Sequence, residues 1–317
     1  MKTELVTVFG GSGFVGRYVV RRLAQQGYRI RVAVRRPHLA QFLRPMGMVG
    51  QIQIVGADLS DEKHIQGALD GASHCINLVG ILRQGGRQRF KTLHAEAPGM
   101  IARHAAVHGC KRVIHVSAIG ADPRGPSRYG RTKAEGEAAL TRDFPDATIV
   151  RPSIIFGVED QFFNRFANMA RYSPFLPLIR GRTRFQPVYV EDVADAVTRC
   201  LAEPATKGRI FELGGPAVYS FKDLLKLILA ETGRHRALIP VPGPVAALIA
   251  LVTSPLPNAP LTLDQLAQLK RDNIVGTGEG IGTLADLGIA PTALEPVLPT
   301  YLWRFRKTGQ FETLETA

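Results

Sequence analysis

Cysteine is scarce in this chain: three residues, Cys75, Cys110 and Cys200, among 317. No two of them form a CxxC, and three cannot make a disulfide framework. They read as buried thiols of a reducing compartment. Long apolar runs are missing too. A bilayer-spanning helix needs about 18–20 consecutive apolar residues, and the nearest candidate, 237–256, is broken by Pro240, Pro242, Pro244 and Pro255. The first residues, Met1-Lys2-Thr3-Glu4, lead straight into a strand-like run, so neither a signal peptide nor an import presequence is expected. No acidic residue lies between Glu4 and Asp58. No Gly-Lys-Ser/Thr follows the N-terminal glycines, which excludes a triphosphate-binding P-loop.

What is present is a basic, globular composition. Hydrophobic residues make up 45% and charged residues 21%, enough for a sizeable core and too much for wholesale disorder. There are 40 Lys+Arg against 27 Asp+Glu, a net charge of +13. The excess is uneven: residues 1–150 hold 22 basic and 11 acidic residues, while 151–317 hold 18 and 16. A basic N-terminal half implies an anionic partner, whether phosphorylated cofactor, lipid, nucleic acid or acidic protein.

Through the first 150 residues short β-branched runs alternate with helix-like stretches. Leu5–Phe9, Ile30–Val34, Ile52–Val55, Cys75–Val79, Arg112–Ser117 and Thr148–Arg151 read as strands. Gly13–Gln26, Leu93–His108 and Ser127–Arg142 read as helices. That alternation predicts βαβ units and a parallel sheet covered on both faces. The expected fold is α/β: a Rossmann-type doubly wound parallel sheet with a smaller irregular C-terminal lobe. Residues 1–155 would form the nucleotide-binding domain, with 185–215 returning to its sheet through a helix at Val190–Ala202. Residues 156–184 and 216–317 would form the lobe.

The first strand runs into Gly10-Gly11-Ser12-Gly13-Phe14-Val15-Gly16, a G-x-x-G-x-x-G turn that opens a helix. The first glycine serves the tight turn, the second lets a pyrophosphate approach the backbone, and the third lets helix and strand pack closely. Dinucleotide binding follows from that strand–turn–helix context. The second strand ends in Arg35-Arg36 where NAD sites place an acid. Guanidinium groups suit a 2′-phosphate and a carboxylate would repel it, so NADPH (NADP) is favoured over NAD. The alternative is that both arginines are solvated surface charges. Asp58 stands where an acid could bind the adenine amino group, or it caps the turn into the next helix with Ser60.

Tyr129-Gly-Arg-Thr-Lys133 is a Y-x-x-x-K motif on a helix after the fifth strand, with both side chains on one face. With the glycine turn it resembles the extended short-chain dehydrogenase/reductase superfamily. The resemblance implies a lysine that binds the nicotinamide ribose and lowers the tyrosine pKa for proton transfer. The third catalytic member departs from the pattern. Ser117 matches the strand-end serine, but the reactive hydroxyl position is Ile119, which cannot donate to an oxyanion. Ser127 would substitute only if its loop folded back.

Further motifs narrow the resemblance. They are Asn77-Leu78-Val79-Gly80-Ile81-Leu82, Arg151-Pro152-Ser153 through Gly157-Val-Glu-Asp160, Phe162-Phe163-Asn164-Arg165-Phe166, Phe185-Gln186-Pro187-Val188-Tyr189-Val190 and Leu302-Trp303-Arg304-Phe305. The set resembles the family of the NADPH-binding accessory subunit of respiratory complex I (NADH:ubiquinone oxidoreductase) and its bacterial relatives. It implies a membrane-associated accessory subunit with a structurally held nucleotide and no turnover. The partners would be other complex I subunits near the junction of peripheral and membrane arms, with an anionic lipid surface as a further contact. The location would be peripheral, on the cytoplasmic side of a bacterial inner membrane. The implied nucleotide site draws on Gly10, Ser12, Gly13, Phe14, Val15, Gly16, Arg35, Arg36, Asp58, Leu59, Leu78, Val79, Gly80, Ser117, Tyr129, Lys133, Pro152 and Ile155. The competing reading is an active NADP-dependent reductase or nucleotide-sugar epimerase/dehydratase using Tyr129 and Lys133. A nucleotide-sensing regulator is a third.

Other signals are blander. His104 and His108 lack the intervening Glu of a zinc protease and read as exposed helix histidines, and no metal site is expected. Arg83, Arg87, Arg89 and Lys91, and Arg180, Arg182 and Arg184, form two basic loops. Without interleaved aromatics they point away from nucleic acid and toward solvent, acidic subunits or headgroups. The proline-broken segment 237–256 is either lobe core or a docking surface.

Overall fold

The computed structural model describes residues 2–86, 88–253, 261–276, 278 and 280–311. The chain starts with β1 (Leu5–Phe9), whose β-branched and aromatic residues are almost wholly buried. It turns into α1 (Phe14–Gln25), which buries Val19, Val20, Leu23 and Ala24 on one stripe. β2 (Arg29–Val34), a 3₁₀ run at Pro37–Met46 and β3 (Ile52–Gly56) follow. Next come α2 (Glu62–Leu69), capped by Asp61, and β4 (His74–Asn77). One π-helical turn, Lys91–Glu96, runs directly into α3 (Ala97–Val107). β5 (Arg112–Val116), α4 (Arg128–Asp143) and β6 (Thr148–Pro152) complete the series.

Beyond β6 the elements shorten. They are β7 (Ile155–Phe156), α5 (Phe163–Tyr172), β8 (Phe175–Leu178), β9 (Arg184–Phe185) and β10 (Val188–Tyr189). α6 (Val190–Ala202) and β11 (Ile210–Leu213) are regular again. β12 (Tyr219–Ser220), α7 (Phe221–Glu231), β13 (Ala237–Pro240), α8 (Gly243–Thr253) and α9 (Leu263–Gln268) precede β14 (Ile281–Gly282) and α10 (Pro299–Leu302).

Eight strands form one parallel sheet in the order β14-β11-β6-β5-β4-β1-β2-β3. From β1 the chain builds outward to β3 on one side, then returns to β4 and builds the other way. The switch lies between β1 and β4, and in such sheets ligands bind at the carboxyl ends beside it. α1 and α6 share one face, tied by Arg21–Glu191 and by Arg22–Asp195 at 2.6 Å. α2, α3 and α4 cover the other, closing a core that includes Phe9, Ile65, Leu69, Ile101 and Leu140.

The chain divides into two compact units. The first is 1–152 with 190–213 and 276–290, and the second is 153–189 with 214–275 and 291–317. The boundaries differ from the sequence reading: 153–155 and 214–215 fall in the second unit, and two longer stretches also change sides. Residues 185–189 belong to the second unit, where β9 and β10 pair with β12 and β7. Residues 276–290, placed in the lobe by sequence, return β14 to the edge of the large sheet, a strand too short to show a period of two. The second unit packs α5, α7 and α10 around Phe163, Leu224, Leu298 and Tyr301.

Within the described part of the segment 237–256, Leu238 touches the core of the second unit but most of α8 does not. This segment's β13 pairs with β8, but α8 buries only Ala246 and Ala250, leaving Val245, Leu248, Ile249, Leu251 and Val252 exposed. Its last three residues lie outside the described ones, as does Arg87. Among the described residues, no helix is long and apolar enough to cross a membrane.

Candidate nucleotide site

The glycine turn is built on backbone contacts that tolerate no side chain at two positions. Gly10 takes φ +77°, in the left-handed region that favours glycine. A Cβ on Gly16 would fall 2.4 Å from the Gly10 carbonyl oxygen and 2.6 Å from Gly11, so α1 sits directly on the turn. Gly13 differs: an added Cβ would meet only the Gly10 oxygen, at 3.2 Å, and otherwise open space. No side chain caps α1, whose N-cap is Gly13. Its first-turn amides and positive dipole end therefore remain for an anion. Ser12, Phe14 and Val15 are half-buried around the turn.

The switch point brings the β4 and β5 ends to this turn. The Leu78 amide donates to the Phe9 carbonyl at 3.0 Å, and the Val79 methyl lies 3.0 Å from where a Gly10 Cβ would be. The Asn77 side chain holds the exit from β4. Its Oδ1 accepts from the Val79 amide at 3.1 Å, and its Nδ2 lies 3.1 Å from His115 Nδ1. At the end of β5 the Ser117 hydroxyl is buried with no hydrogen-bond partner among the described residues.

α4 delivers Tyr129 and Lys133. Lys133 is buried and its Nζ donates to the Val116 carbonyl at 3.1 Å, facing Gly80. Tyr129 is half-buried, and its ring meets Phe90 at 5.9 Å and His94 at 5.3 Å, both edge-on. Phe90 and His94 stack at 5.1 Å. His94 Nε2 accepts the Ile81 amide at 3.0 Å, which fixes its tautomer with the proton on Nδ1. α4 packs so closely on the π turn that a Cβ on Gly136 would fall 1.8 Å from the His94 carbonyl oxygen.

Burial governs the titration of this cluster. It pushes the Lys133 ammonium down to about 8, against the pull of the Glu137 carboxylate. It pushes His94 down to about 3, with the Lys133 charge adding to the effect. His115, fully enclosed, is also held well below its ordinary value by burial, then by Lys133 and His94. Both imidazoles are neutral near pH 7, leaving Lys133 as the cluster's cation.

Sequence reasoning missed His94, Phe90 and His115. A π turn has no sequence signature, and a histidine within an apolar helical pattern reads as ordinary. Asn77 was visible only as part of a motif.

Arg35 and Arg36 follow β2 and are exposed. With the Gln88 amide oxygen turned toward it, Arg35 donates to that oxygen at 2.8 and 3.2 Å. The Arg35 charge also helps hold the Asp58 carboxyl below its ordinary range, after the larger effect of the Ser60 amide. Arg36 instead begins the 3₁₀ run. Asp58 accepts from the Ser60 amide at 3.0 Å and the Ser60 hydroxyl at 2.8 Å, with Leu59 buried beside it. Asp58 thus caps the turn into α2 together with Ser60, and Asp61 caps the helix itself.

Ile119 is half-buried and donates its amide to the Pro152 carbonyl at 3.1 Å. Ser127 caps α4 by accepting the Gly130 amide at 3.0 Å, so it is committed locally. Pro152 ends β6 in the first unit, whereas Ile155 begins β7 in the second. His104 is not a free surface histidine: its Nε2 lies 2.9 Å from a Glu62 carboxylate oxygen.

These residues fit a nicotinamide dinucleotide. Among the described residues, the turn leaves space only at Gly13, no side chain caps α1, the Ser117 hydroxyl has no hydrogen-bond partner, and a buried cation stands beside Gly80. When bound, such a group supplies hydride chemistry. The residues around it offer Tyr129 and Lys133 for a proton, but only aliphatic carbon at Ile119.

Comparison with known proteins places this geometry. The model of the NAD dependent epimerase/dehydratase family matches residues 6–214. Subunit 9 of the mitochondrial NADH dehydrogenase [ubiquinone] 1 alpha subcomplex from Arabidopsis thaliana is 33% identical over 318 residues, covering 96% of this chain and 79% of that protein. The Mus musculus subunit of the same name is 35% identical over 297 residues, covering 92% and 78%. Among solved structures, an NADPH-dependent quinone oxidoreductase from Escherichia coli complexed with NADPH superposes with a TM-score of 0.73 at 21% identity, covering 92% of this chain and 97% of that one.

Proposed function

Since the chain belongs to the NAD dependent epimerase/dehydratase family and, within it, to the family of subunit 9 of the NADH dehydrogenase 1 alpha subcomplex, we propose that it is an accessory subunit of respiratory complex I that holds NADPH without turning it over. The observation that carries the assignment is the reach of the likeness. It spans 96% of the chain, second unit included, whereas the general epimerase family stops at residue 214. Ile119 supports the absence of turnover, because no hydroxyl stands where a substrate oxyanion would need a donor.

The nucleotide lies along the glycine turn. The α1 amides take the pyrophosphate, Lys133 and Tyr129 the nicotinamide ribose, and Leu78, Val79, Gly80, Ser117 and Pro152 its inner end. Asp58 and Leu59 border the adenine. Arg35 takes the 2′-phosphate and sets NADPH above NADH. The exposed apolar row on α8 rests on a lipid surface or a membrane-arm subunit, near the junction of the two arms and on the cytoplasmic side of the membrane. Tyr129 and Lys133 favour one alternative, an active NADP-dependent reductase or epimerase.

Native gel separation of solubilised membranes from the source organism tests the reading. The chain is expected to co-migrate with NADH:ubiquinone oxidoreductase, and its deletion should lower the amount of assembled complex. A chain that migrates alone and carries a hydride-transfer activity abolished by Tyr129→Phe would overturn it.

A further inference from the structure

At the amino ends of β1, β2 and β3, away from the glycine turn, Leu5, Arg29, Ile30 and the loop 44–53 line a groove of about 720 Å³. Its floor is rigid. The buried Gln51 amide donates to the Ala24 and Tyr28 carbonyls at 2.8 and 2.9 Å, and its oxygen accepts the Met48 amide at 2.8 Å. A Cβ on Gly47 would fall 2.8 Å from that oxygen. The loop is therefore fixed, yet it presents Met48 and Val49 to solvent at 74% and 104% exposure.

Two arginines face this groove unpaired. Neither Arg29 nor Arg44 makes a side-chain hydrogen bond or ion pair among the described residues, and no carboxylate lines the groove. Glu4, next to Leu5, is tied to Lys111 at 3.0 Å and to His74. Arg31 is engaged by the Ala68 and Asp70 carbonyls.

The groove opens onto a free sheet edge. Among the described residues, β3 has a strand partner only on its β2 side. The Ile30 amide donates to the Gln51 carbonyl, and the Ala57 amide donates to the Val34 carbonyl. Stepping by two, the amides of Gln53 and Val55 also face β2, so those of Ile52, Ile54 and Gly56 face outward. The register is one-to-one from Ile30↔Ile52 to Val34↔Gly56, with no bulge, and the strand contains neither Lys nor Pro. Charge, proline and a bulge, three usual guards of an exposed edge, are thus absent from this strand.

We propose that this edge and groove dock an extended acidic segment of a partner protein, added beside β3 as a ninth strand. Backbone pairing supplies the geometry, Met48 and Val49 take its apolar positions, and Arg29 and Arg44 take its carboxylates. The identity of the partner as a complex I subunit rests on the function proposed above.

The test places p-benzoylphenylalanine at Val49 in the full-length chain in its own organism and maps the photo-cross-linked peptide, with and without Arg29→Glu/Arg44→Glu. The expected result is a cross-link into a Glu/Asp-containing stretch of a complex I subunit, reduced at least tenfold by the charge reversal. Thermal midpoint and NADPH binding should stay unchanged, and Arg29→Gln/Arg44→Gln should fall between. Cross-linking only to lipid or to a second copy of the chain, no cross-link, or one indifferent to charge reversal would overturn the proposal. If the unsubstituted chain does not co-migrate with complex I, the functional reading fails instead, and the cross-linked sequence still decides whether the groove takes an acidic strand.

Discussion

The Lys133 ammonium donates to the Val116 carbonyl at 3.1 Å, tying α4 to the end of β5 from inside the protein. Burial pushes it from its ordinary 10.5 down to about 8. Between those values the unfolded chain still holds a proton that the folded chain has released. Folding stability from this group therefore rises as pH climbs from about 8 to about 10.5 and is constant below. Lys133→Met removes that contribution. The difference in thermal midpoint between Lys133→Met and the unsubstituted protein, both free of nucleotide, should change across this window and stay flat at lower pH. A pH-independent difference would contradict the burial argument.

His94 works in the opposite pH range. An unfolded histidine takes up a proton near 6.5, while folded His94 resists it down to about 3. Stability is consequently lost as pH falls through about 6.5 toward 3. His94→Gln keeps an acceptor for the Ile81 amide but cannot titrate, and it gives up stacking on Phe90 worth about 1 kcal/mol. Urea midpoints between pH 4 and 7 should fall less steeply for His94→Gln than for the unsubstituted protein. Equal slopes would show that His94 does not carry the acid sensitivity.

Two glycines of one turn separate folding from binding. Gly16→Ala drives a methyl into the Gly10 and Gly11 backbone and should cost about 1–3 kcal/mol. Gly13→Ala meets only one oxygen, at 3.2 Å. It should keep a near-normal midpoint while NADPH affinity drops at least tenfold, about 1.4 kcal/mol. Equilibrium dialysis and thermal melts on the two variants check this; normal NADPH binding by Gly13→Ala would remove the phosphate from that place.

The fold and the glycine turn were legible because their signals are local. β-branched runs, a 3.6-residue stripe and three glycines at fixed spacing all lie close together in the chain. The limits of α6 came through for the same reason. What stayed hidden depends on distant partners. β14 has two residues and exists because β11 offers it an edge. The π turn exists because Gly136 lets the His94 carbonyl approach α4. α8 is apolar enough to resemble core, and only the packing leaves most of it outside. Arg35 and Arg36 read as an equal pair, yet Arg35 alone stands against Asp58 and Gln88.

That inequality yields its own expectation. Arg35→Ala should weaken NADPH by at least tenfold while leaving NADH nearly unchanged, and Arg36→Ala should do less. Titrations of both nucleotides against each variant read this directly. Equal loss of NADPH and NADH on Arg35→Ala would mean that the guanidinium does not face a 2′-phosphate.

The proposed role turns on whether the nucleotide is held or consumed. The decisive measurement is the amount and redox state of nucleotide bound to the chain within isolated complex I, before and after sustained NADH:ubiquinone turnover. A structural site retains NADPH at about one per chain, still reduced when turnover ends. NADPH that is oxidised or exchanged in step with turnover, and that stays reduced in Tyr129→Phe, would contradict it.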